Sequence, residues 1–293
     1  MLNVTPRFLV CFLVSFHCSL LTMGQSFDYG FKHLTTDNGL SHDLIQTIAK
    51  DKQGFMWFGT LNGLNRFDGF QFKVFKHIKK DSTSIPHNTI VDLVCDTSGY
   101  LWMSTGNGIC RYDPFEQNFK TILLPDTSGS QVWHLAMNEK GTIVVLHGGH
   151  LYNINPNDLK ISLVKKLSQP LTEARVFTGS KNGLWLVNRS AVYRYDLRTD
   201  QETYIMGYDE EHRDNKVGVM YVYTDPTGKT WMGTYDKGLF YYDQLTGKAE
   251  LFSKSTPFIT SMTADVDYTT NNLLWIGGGY SGLNVMNTKR LHV

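Results

Sequence analysis

The sequence runs Gly54-Phe55-Met56-Trp57-Phe58-Gly59-Thr60 and then Gly63-Leu64-Asn65-Arg66-Phe67-Asp68, and this stretch decides the fold because it returns along the chain. Close copies begin at Gly99 and Gly228, and weaker copies centre on Val144, Trp185 and Trp275. Successive copies lie 41 to 46 residues apart. A period of this length is typical of solenoids, propellers and repeat arrays.

Each repeat reads as short strands joined by glycine turns. In the first unit the apolar residues alternate or cluster as in strands, which predicts strands at Leu44–Lys50, Phe55–Thr60, Leu64–Phe67 and Phe70–Phe75. The turn between the first two strands, Asp51–Gly54, ends on a glycine that can adopt positive φ. Short strands with such turns form an antiparallel meander.

Four strands per unit, repeated radially, indicate an all-β protein with a β-propeller fold. The recurring Trp is predicted to pack between neighbouring blades, where it would bury about 200 Å² of surface. Val144 replaces this Trp in the third unit, so we expect a cavity or local repacking there. Six four-stranded blades are predicted, at about 30–80, 81–126, 127–168, 169–210, 211–256 and 257–293.

The charges nearly balance, with 28 Lys and Arg against 27 Asp and Glu. This balance argues against a nucleic-acid partner, which usually requires a basic face. Cys95 and Cys110 fall on the first and third strands of one predicted blade. A strand lies between them, so their separation is about twice the strand spacing of ~4.8 Å, and two free thiols are expected.

The first residues form a separate region. Arg7 precedes an apolar stretch that continues to Leu21, and Thr22-Met23-Gly24 supplies small residues before a cleavage site. This pattern predicts a secretory signal peptide over residues 1–24 and a propeller over residues 25–293. The alternative is a membrane anchor, but the apolar run is shorter than the ~20 residues that a spanning helix needs.

The repeat resembles the regulator-propeller repeat, which fills the periplasmic sensor region of hybrid two-component histidine kinases in Bacteroidetes. The shared pattern is Asp-x-x-Gly-x-x-Trp-x-Gly-Thr-x-x-Gly-Leu-x-Arg-Tyr/Phe-Asp, and Phe31–Asp43 is similar to that family's opening segment. The resemblance covers residues 27–288 and weakens in the third and fourth units. It implies an exported, periplasmic, non-enzymatic sensor module whose ligand is a glycan fragment.

The resemblance also implies a ring of seven blades, so the six predicted blades are expected to be an incomplete seven-bladed ring. An open arc is preferred over a six-bladed ring closed by Phe31–Thr35. No phosphoacceptor histidine motif, ATP-binding glycine box or receiver aspartate is found, so we expect this chain alone to lack kinase activity. Its expected partners are the glycan, the rest of a receptor or a second sensor chain, and no membrane span is predicted within the propeller.

No known catalytic motif, zinc-spaced cysteine pair or phosphate loop is present, so neither catalytic residues nor a cofactor is predicted. His147 and His150 are three residues apart, but turn histidines are usually solvated and no metal site is predicted. An aspartate also recurs at the end of each third strand, as in Asp68, Asp113, Asp196 and Asp243. A residue copied in most blades is expected to cap the following turn rather than to bind a ligand.

Recognition is expected where the repeats differ, on the loops of one face. That face combines aromatic rings with amides and a few charges, which suits a neutral or acidic oligosaccharide. The candidate ligand-binding residues are Asn62, Asn107, His147, Arg189, Tyr235, Asp236, Tyr280, His87, Asn88 and Trp133.

Two other functions remain open at this point. Streptogramin lyases and polysaccharide lyases are also propellers, and His147 with Arg189 would be the candidate pair for base and charge neutralisation. A passive protein-interaction scaffold is the third possibility.

Overall fold

The structure is a computed structural model that describes residues 35–122, 134–138, 140–167, 174–179, 183–188, 191–207, 218–225, 227–253, 259–264, 273–278 and 282–287. The chain divides into two compact units, Met1–Leu34 and Thr35–Val293. The first unit lies outside the described residues, and with it the predicted signal peptide and most of the segment Phe31–Thr35.

The described part of the second unit consists of strands and one 3-10 helix, Thr36–Asn38, so the all-β prediction is confirmed. Within it, no helix has the length and apolar character needed to cross a membrane. The strands are β1 Ile45–Lys50, β2 Met56–Thr60, β3 Gly63–Phe67, β4 Phe72–Phe75, β5 Ile90–Cys95, β6 Leu101–Thr105, β7 Gly108–Asp113, β8 Asn118–Ile122, β9 His134–Met137, β10 Ile143–His147, β11 His150–Ile154, β12 Ile161–Lys166, β13 Arg175–Thr178, β14 Gly183–Val187, β15 Ala191–Asp196, β16 Gln201–Gly207, β17 Val219–Thr224, β18 Thr230–Thr234, β19 Leu239–Asp243, β20 Lys248–Ser253, β21 Ile259–Ala264, β22 Leu273–Gly278 and β23 Gly282–Asn287.

These strands form antiparallel sheets in chain order, one sheet for each repeat, and we number the sheets as blades 1 to 6. Blades 1 to 5 have four strands each, whereas β21, β22 and β23 form a three-stranded sheet. The prediction of six four-stranded blades is therefore wrong: five blades have four strands. The segments that could supply a fourth strand to the last sheet lie outside the described residues, as does the segment expected to close a ring.

Each pair of consecutive blades shares a hydrophobic cluster, and the repeated Trp lies in four of the five clusters, as predicted. Trp57 packs between blades 1 and 2, Trp102 between blades 2 and 3, Trp185 between blades 4 and 5, and Trp231 between blades 5 and 6. Their side chains are at most 2% exposed. At about 25 cal/mol per Å², each indole contributes several kcal/mol of burial before entropy is counted.

The interface between blades 3 and 4 has no Trp and is packed differently. Val144 takes the Trp position and is fully buried with Leu146 and Leu151 of its own blade. Leu184 and Tyr195 of blade 4 close over it. Of the two outcomes expected for Val144, a cavity or local repacking, the cluster shows the second.

The turn between the first two strands of a blade is tied to the Trp by a single aspartate. The side chain of Asp96 accepts the backbone N–H of Ser98 at 2.8 Å and of Tyr100 at 3.0 Å through Oδ1, and the indole N–H of Trp102 at 2.7 Å through Oδ2. Asp51 with Trp57 and Asp225 with Trp231 repeat the indole bond at 2.6 and 3.0 Å. The aspartate therefore fixes both the turn and the rotamer of the residue that packs against the next blade.

The second recurring aspartate caps the turn after the third strand, as predicted. Asp68 Oδ1 accepts the backbone N–H groups of Phe70 and Gln71, both at 2.8 Å. Asp113, Asp196 and Asp243 accept the equivalent bonds at 2.8 to 3.4 Å. These bonds hold the pKa of Asp68 below its usual value. Cys95 and Cys110 are free thiols, as predicted.

Candidate functional site

One position of the repeat carries a different polar residue in every blade. It lies on the first strand of the blade, two residues before the residue that pairs with the Trp position. In blade 2, for example, Val94 pairs with Trp102 and Asp92 pairs with Ser104. We call it the inner position, and its occupants in blades 1 to 6 are Thr47, Asp92, His134, Arg175, Tyr221 and Ser261.

In four of the six blades a small residue lies opposite the inner position. The cross-strand partner is glycine in blades 1, 5 and 6, at Gly59, Gly233 and Gly277. A Cβ placed on Gly59 would lie 2.5 Å from Thr47 Cγ2 and 2.7 Å from Ile90 Cγ2, which no real contact allows. The glycine therefore lets the inner position of blade 1 pack closely against blade 2.

The inner positions of neighbouring blades interact directly. Asp92 Oδ2 lies 2.7 Å from His134 Nδ1 and accepts the backbone N–H of Leu135 at 3.2 Å, so the carboxylate of blade 2 is held by two groups of blade 3. The side chain of His134 is 8% exposed and that of Asp92 is 19% exposed. The pair is thus oriented, with His134 buried and Asp92 partly exposed. Thr47 Oγ1 makes a similar link by accepting the backbone N–H of Leu93 at 3.2 Å.

Arg175 and Tyr221 occupy the inner positions of blades 4 and 5. The Tyr221 ring packs edge-on against Phe177, with the ring centroids 5.0 Å apart. Burial raises the pKa of Tyr221 to about 12, with Arg175 acting to lower this pKa and Asp92 to raise it. The charges of Asp92 on blade 2 and Arg175 on blade 4 therefore both act on the Tyr221 phenol of blade 5.

Four of the predicted ligand residues come together at the connection between blades 1 and 2. Asn88 O accepts the backbone N–H of Gly63 at 2.7 Å, and Asn88 Oδ1 accepts that of His77 at 2.7 Å. The ring of His87 lies against Gly106, where an added Cβ would be 2.6 Å from Nδ1. Asn88 and His87 thus brace the two turns that carry Asn62 and Asn107, the other two predicted residues.

Asn62 and Asn107 are exposed at the tips of these turns. The Asn62 side chain donates to Ser41 O at 3.2 Å and accepts from Lys76 Nζ at 3.3 Å. The backbone N–H of Asn107 donates to Thr105 Oγ1 at 3.1 Å. The Asn62 side chain is therefore occupied by contacts within its own blade.

The other predicted residues are dispersed. Tyr235 and Asp236 lie on blade 5, where the Tyr235 side chain is 54% exposed and Asp236 pairs with Lys237 at 3.8 Å. His147 was expected on an open loop, but it ends β10 and is only 4% exposed. The described residues do not include Arg189, Tyr280 or Trp133, so the placement of these three residues and the proposed pairing of His147 with Arg189 remain predictions.

The sequence reasoning missed the inner position because it searched the loops. The signal was nevertheless present: Thr47, Asp92, His134, Arg175 and Tyr221 each lie ten residues before the Trp position of their unit. The described residues contain no group of three His, Cys, Asp or Glu side chains arranged to hold a metal ion. The inner position combines hydrogen-bond donors and acceptors with one aromatic side chain, Tyr221.

Comparison with known proteins supports the predicted resemblance. Residues 39–62 and 84–107 match the family model described as two component regulator propeller. A histidine kinase of Formosa agariphila, Histidine kinase P4, is 44% identical over 61 residues, which are 21% of this chain and 4% of the kinase. The chain therefore corresponds to a small part of that relative, and the resemblance to regulator-propeller repeats is confirmed.

Solved structures share the fold. The extracellular domain of a proposed hybrid two-component system from B. thetaiotaomicron has a TM-score of 0.70 at 22% identity, covering 88% of this chain and 35% of that one. Virginiamycin B lyase from Staphylococcus aureus has a TM-score of 0.59 at 14% identity, covering 84% of each chain. At these sequence identities the similarity establishes the propeller fold but not the function.

Proposed function

We propose that this chain is the ligand-sensing propeller module of an exported two-component sensor and that it binds a glycan fragment at the inner position. The observation that carries the proposal is the contrast between positions of the repeat. The Trp, the turn aspartate and the turn glycines recur because they build blades, whereas the inner position changes in every blade and is always polar.

The chemistry of the inner position suits a saccharide. The Asp92 carboxylate can accept from sugar hydroxyls, and the Tyr221 hydroxyl can donate to or accept from them. Phe177 adds an apolar ring beside Tyr221. A few oriented polar groups next to aromatic surface are the usual composition of a specific small-molecule site.

Signalling would follow from contact with several blades at once. A ligand that touches the inner positions of blades 2 to 5 stabilises the arrangement of blades that it fits best. It can shift a receptor only by its difference in affinity between two arrangements. The remainder of the receptor, or a second sensor chain in the periplasm, would be the partner that reads this shift.

A glycan panel tests the proposal by thermal unfolding. A ligand present at 100 times its Kd stabilises the folded chain by about 2.7 kcal/mol and raises the unfolding midpoint. The Tyr221→Phe and Asp92→Asn variants should reduce that rise. The Asn107→Ala variant, altered on an exposed turn tip, should keep it. The proposal is wrong if no saccharide raises the midpoint, and the site is wrong if only Asn107→Ala removes the effect.

One observation favours a second function, a lyase. His134 is oriented by the Asp92 carboxylate at 2.7 Å, the arrangement of a base and its orienting group. Lyase action on uronic-acid glycans creates a double bond conjugated with the carboxylate. Product formation can therefore be followed as an increase in ultraviolet absorbance. Turnover that is abolished by His134→Ala would establish this function, and its absence with a bound ligand would favour sensing.

A further inference from the structure

Arg175 is a half-buried cation whose charge is not balanced within the described part of the chain. It begins β13, and its backbone pairs with Val187. The guanidinium forms no salt bridge there, and no side-chain hydrogen bond, with any described residue. Arginines in such settings usually pair with a carboxylate, because removing an unpaired charge from water is costly.

Tyr221 lies beside Arg175 across the boundary between blades 4 and 5: Arg175 and Phe177 are two residues apart on β13, so their side chains share one face, and the Phe177 ring contacts that of Tyr221. Arg175 lowers the pKa of Tyr221, but burial dominates and the pKa still rises to about 12. The phenol is therefore a neutral donor at physiological pH. Its hydroxyl makes no hydrogen bond within the described residues, whereas the ring is fixed by Phe177 at 5.0 Å.

The acidic residue of the inner position does not neutralise Arg175. The Asp92 carboxylate is already bound by His134 Nδ1 at 2.7 Å and by the backbone N–H of Leu135 at 3.2 Å. Its backbone N–H donates to Ser104 Oγ at 3.0 Å, which holds the strand in place. Oδ2 of the Asp92 carboxylate is thus held by blade 3, and the Arg175 guanidinium has no counter-charge among the described residues.

We propose that Arg175 and Tyr221 form an anion-binding subsite that takes the acidic group of an oligosaccharide, a carboxylate or a sulfate ester. The inference rests on the proposed glycan-sensing function and narrows it to acidic saccharides. The planar guanidinium can give two parallel N–H bonds to a carboxylate or sulfate. The Tyr221 hydroxyl adds a third donor, and Asp92 and His134 are left to bind sugar hydroxyls.

The lack of a partner for the guanidinium among the described residues is consistent with a functional role. A half-buried cation without a counter-charge lowers the stability of the ligand-free protein. Departures from the usual pairing of buried charges are expected at binding sites. The Arg175→Gln variant should therefore unfold at the same temperature as the wild type or at a higher one. A loss of ligand binding in this variant would then not be due to unfolding.

Two tetrasaccharides that differ only at C6 provide the test. Galacturonic acid tetramer and galactose tetramer have the same ring configuration, and only the first carries carboxylates. Titration calorimetry on the full chain should show at least tenfold tighter binding of the acidic tetramer. This preference should weaken as sodium chloride is raised, because salt screens the charge. A sulfated galactose oligosaccharide shows whether a sulfate ester can replace the carboxylate.

Variants assign the effect to the subsite. Arg175→Gln should remove most of the preference for the acidic tetramer, and Arg175→Lys should restore only part of it, because lysine keeps the charge and loses the two-pronged geometry. Tyr221→Phe keeps the packing on Phe177 and should weaken acidic binding several-fold. The matched control is Arg198→Gln on an outer turn, where the side chain is 62% exposed and pairs with Asp196. Arg198→Gln should leave binding unchanged.

The outcomes separate the two proposals. If acidic and neutral tetramers bind equally and Arg175→Gln changes neither affinity, glycan sensing stands and the anion subsite is wrong. If Arg198→Gln and Arg175→Gln act alike, the preference comes from overall charge and the subsite is also wrong. If none of the three oligosaccharides binds and the wider panel is silent as well, glycan sensing itself fails together with the subsite.

Discussion

At the scale of single residues, the aspartate of the first turn does more than its sequence pattern indicates. A turn sequence such as Asp96–Gly99 predicts a carboxylate that caps the backbone, and Asp96 does so. The second oxygen accepts the indole N–H of the fully buried Trp102. In blade 3 both members change together: Asn138 caps the turn and Val144 replaces the Trp.

This coupling gives a matched pair of variants. Asp96→Ala should lower the free energy of unfolding by about 2–4 kcal/mol, because it removes a turn cap and leaves a buried indole N–H without a partner. Asn138→Ala removes a turn cap alone and should cost about 1 kcal/mol. Urea unfolding measures both. Equal losses would show that the indole bond contributes nothing.

Two weakly acidic side chains with raised pKa values predict how stability depends on alkaline pH. Burial raises the pKa of Cys110 from 9.0 to about 12 and that of Tyr221 from 10.0 to about 12. The folded state therefore favours the protonated forms, so their contribution is complete below pH 9 and is lost as the pH rises from 9 to 12. Urea unfolding midpoints measured across this range should fall. The double variant Cys110→Ala with Tyr221→Phe should flatten the decline, and an unchanged slope would contradict the assignment.

At the scale of the strand pair, the inner position depends on the residue across from it. Gly59 lies opposite Thr47, and the nearest atoms to an added Cβ are Thr47 Cγ2 at 2.5 Å and Ile90 Cγ2 at 2.7 Å. Ile90 belongs to blade 2 and is fully buried. A single methyl group at Gly59 would therefore push two blades apart.

Gly59→Ala should destabilise the chain by about 1–3 kcal/mol through overpacking. Thr47→Ser removes Cγ2, the atom nearest to the added Cβ, so Gly59→Ala should cost less in the Thr47→Ser background than in the wild type. Urea unfolding of all combinations measures this coupling. Strict additivity would show that the methyl groups do not meet.

Strand structure explains what the sequence could and could not predict. The Trp period and the Gly turns predicted the strands, the packing of Trp102 and the turn caps, because each depends on residues close in sequence. The polar inner residues were missed because Asp92 and Arg175 lie within strands. Which side of a strand faces a ligand depends on register, and the register shifts by one residue between Ile90 and Asp92. The candidate residues were instead placed on loops. One of them, His147, is buried in a strand rather than exposed on a loop.

At the scale of the whole molecule, the exposure of the residue that follows the inner position indicates whether that face of the blade is covered by another blade. Leu93, Leu135, Val176 and Val222 occupy this place in blades 2 to 5, and each is at most 7% exposed against the preceding blade. The equivalent residue of blade 1, Ile48, is 53% exposed. Within the described ranges, the first blade thus has one uncovered apolar face.

A pair of equivalent substitutions tests this difference. Leu93→Ser should lower the free energy of unfolding by about 2–4 kcal/mol, as expected for a buried leucine. Ile48→Ser should change it by less than about 1 kcal/mol, because the side chain is already half in water. Thermal and urea unfolding of both variants measure the difference. A similar loss in both would show that another part of the chain covers Ile48 in solution.

The blade-packing tryptophans and the inner position are different residues of each repeat, so the ligand-facing side chains can be substituted without replacing a tryptophan. In the proposed site, the inner codons of blades 1 to 5 specify the side chains offered to a ligand, and none of them encodes the blade-packing tryptophan or the aspartate that holds it. A library randomised at those codons would sample new specificities while the framework stays constant. Point mutations at these codons would change the groups offered to a ligand while leaving the tryptophan contacts between blades in place.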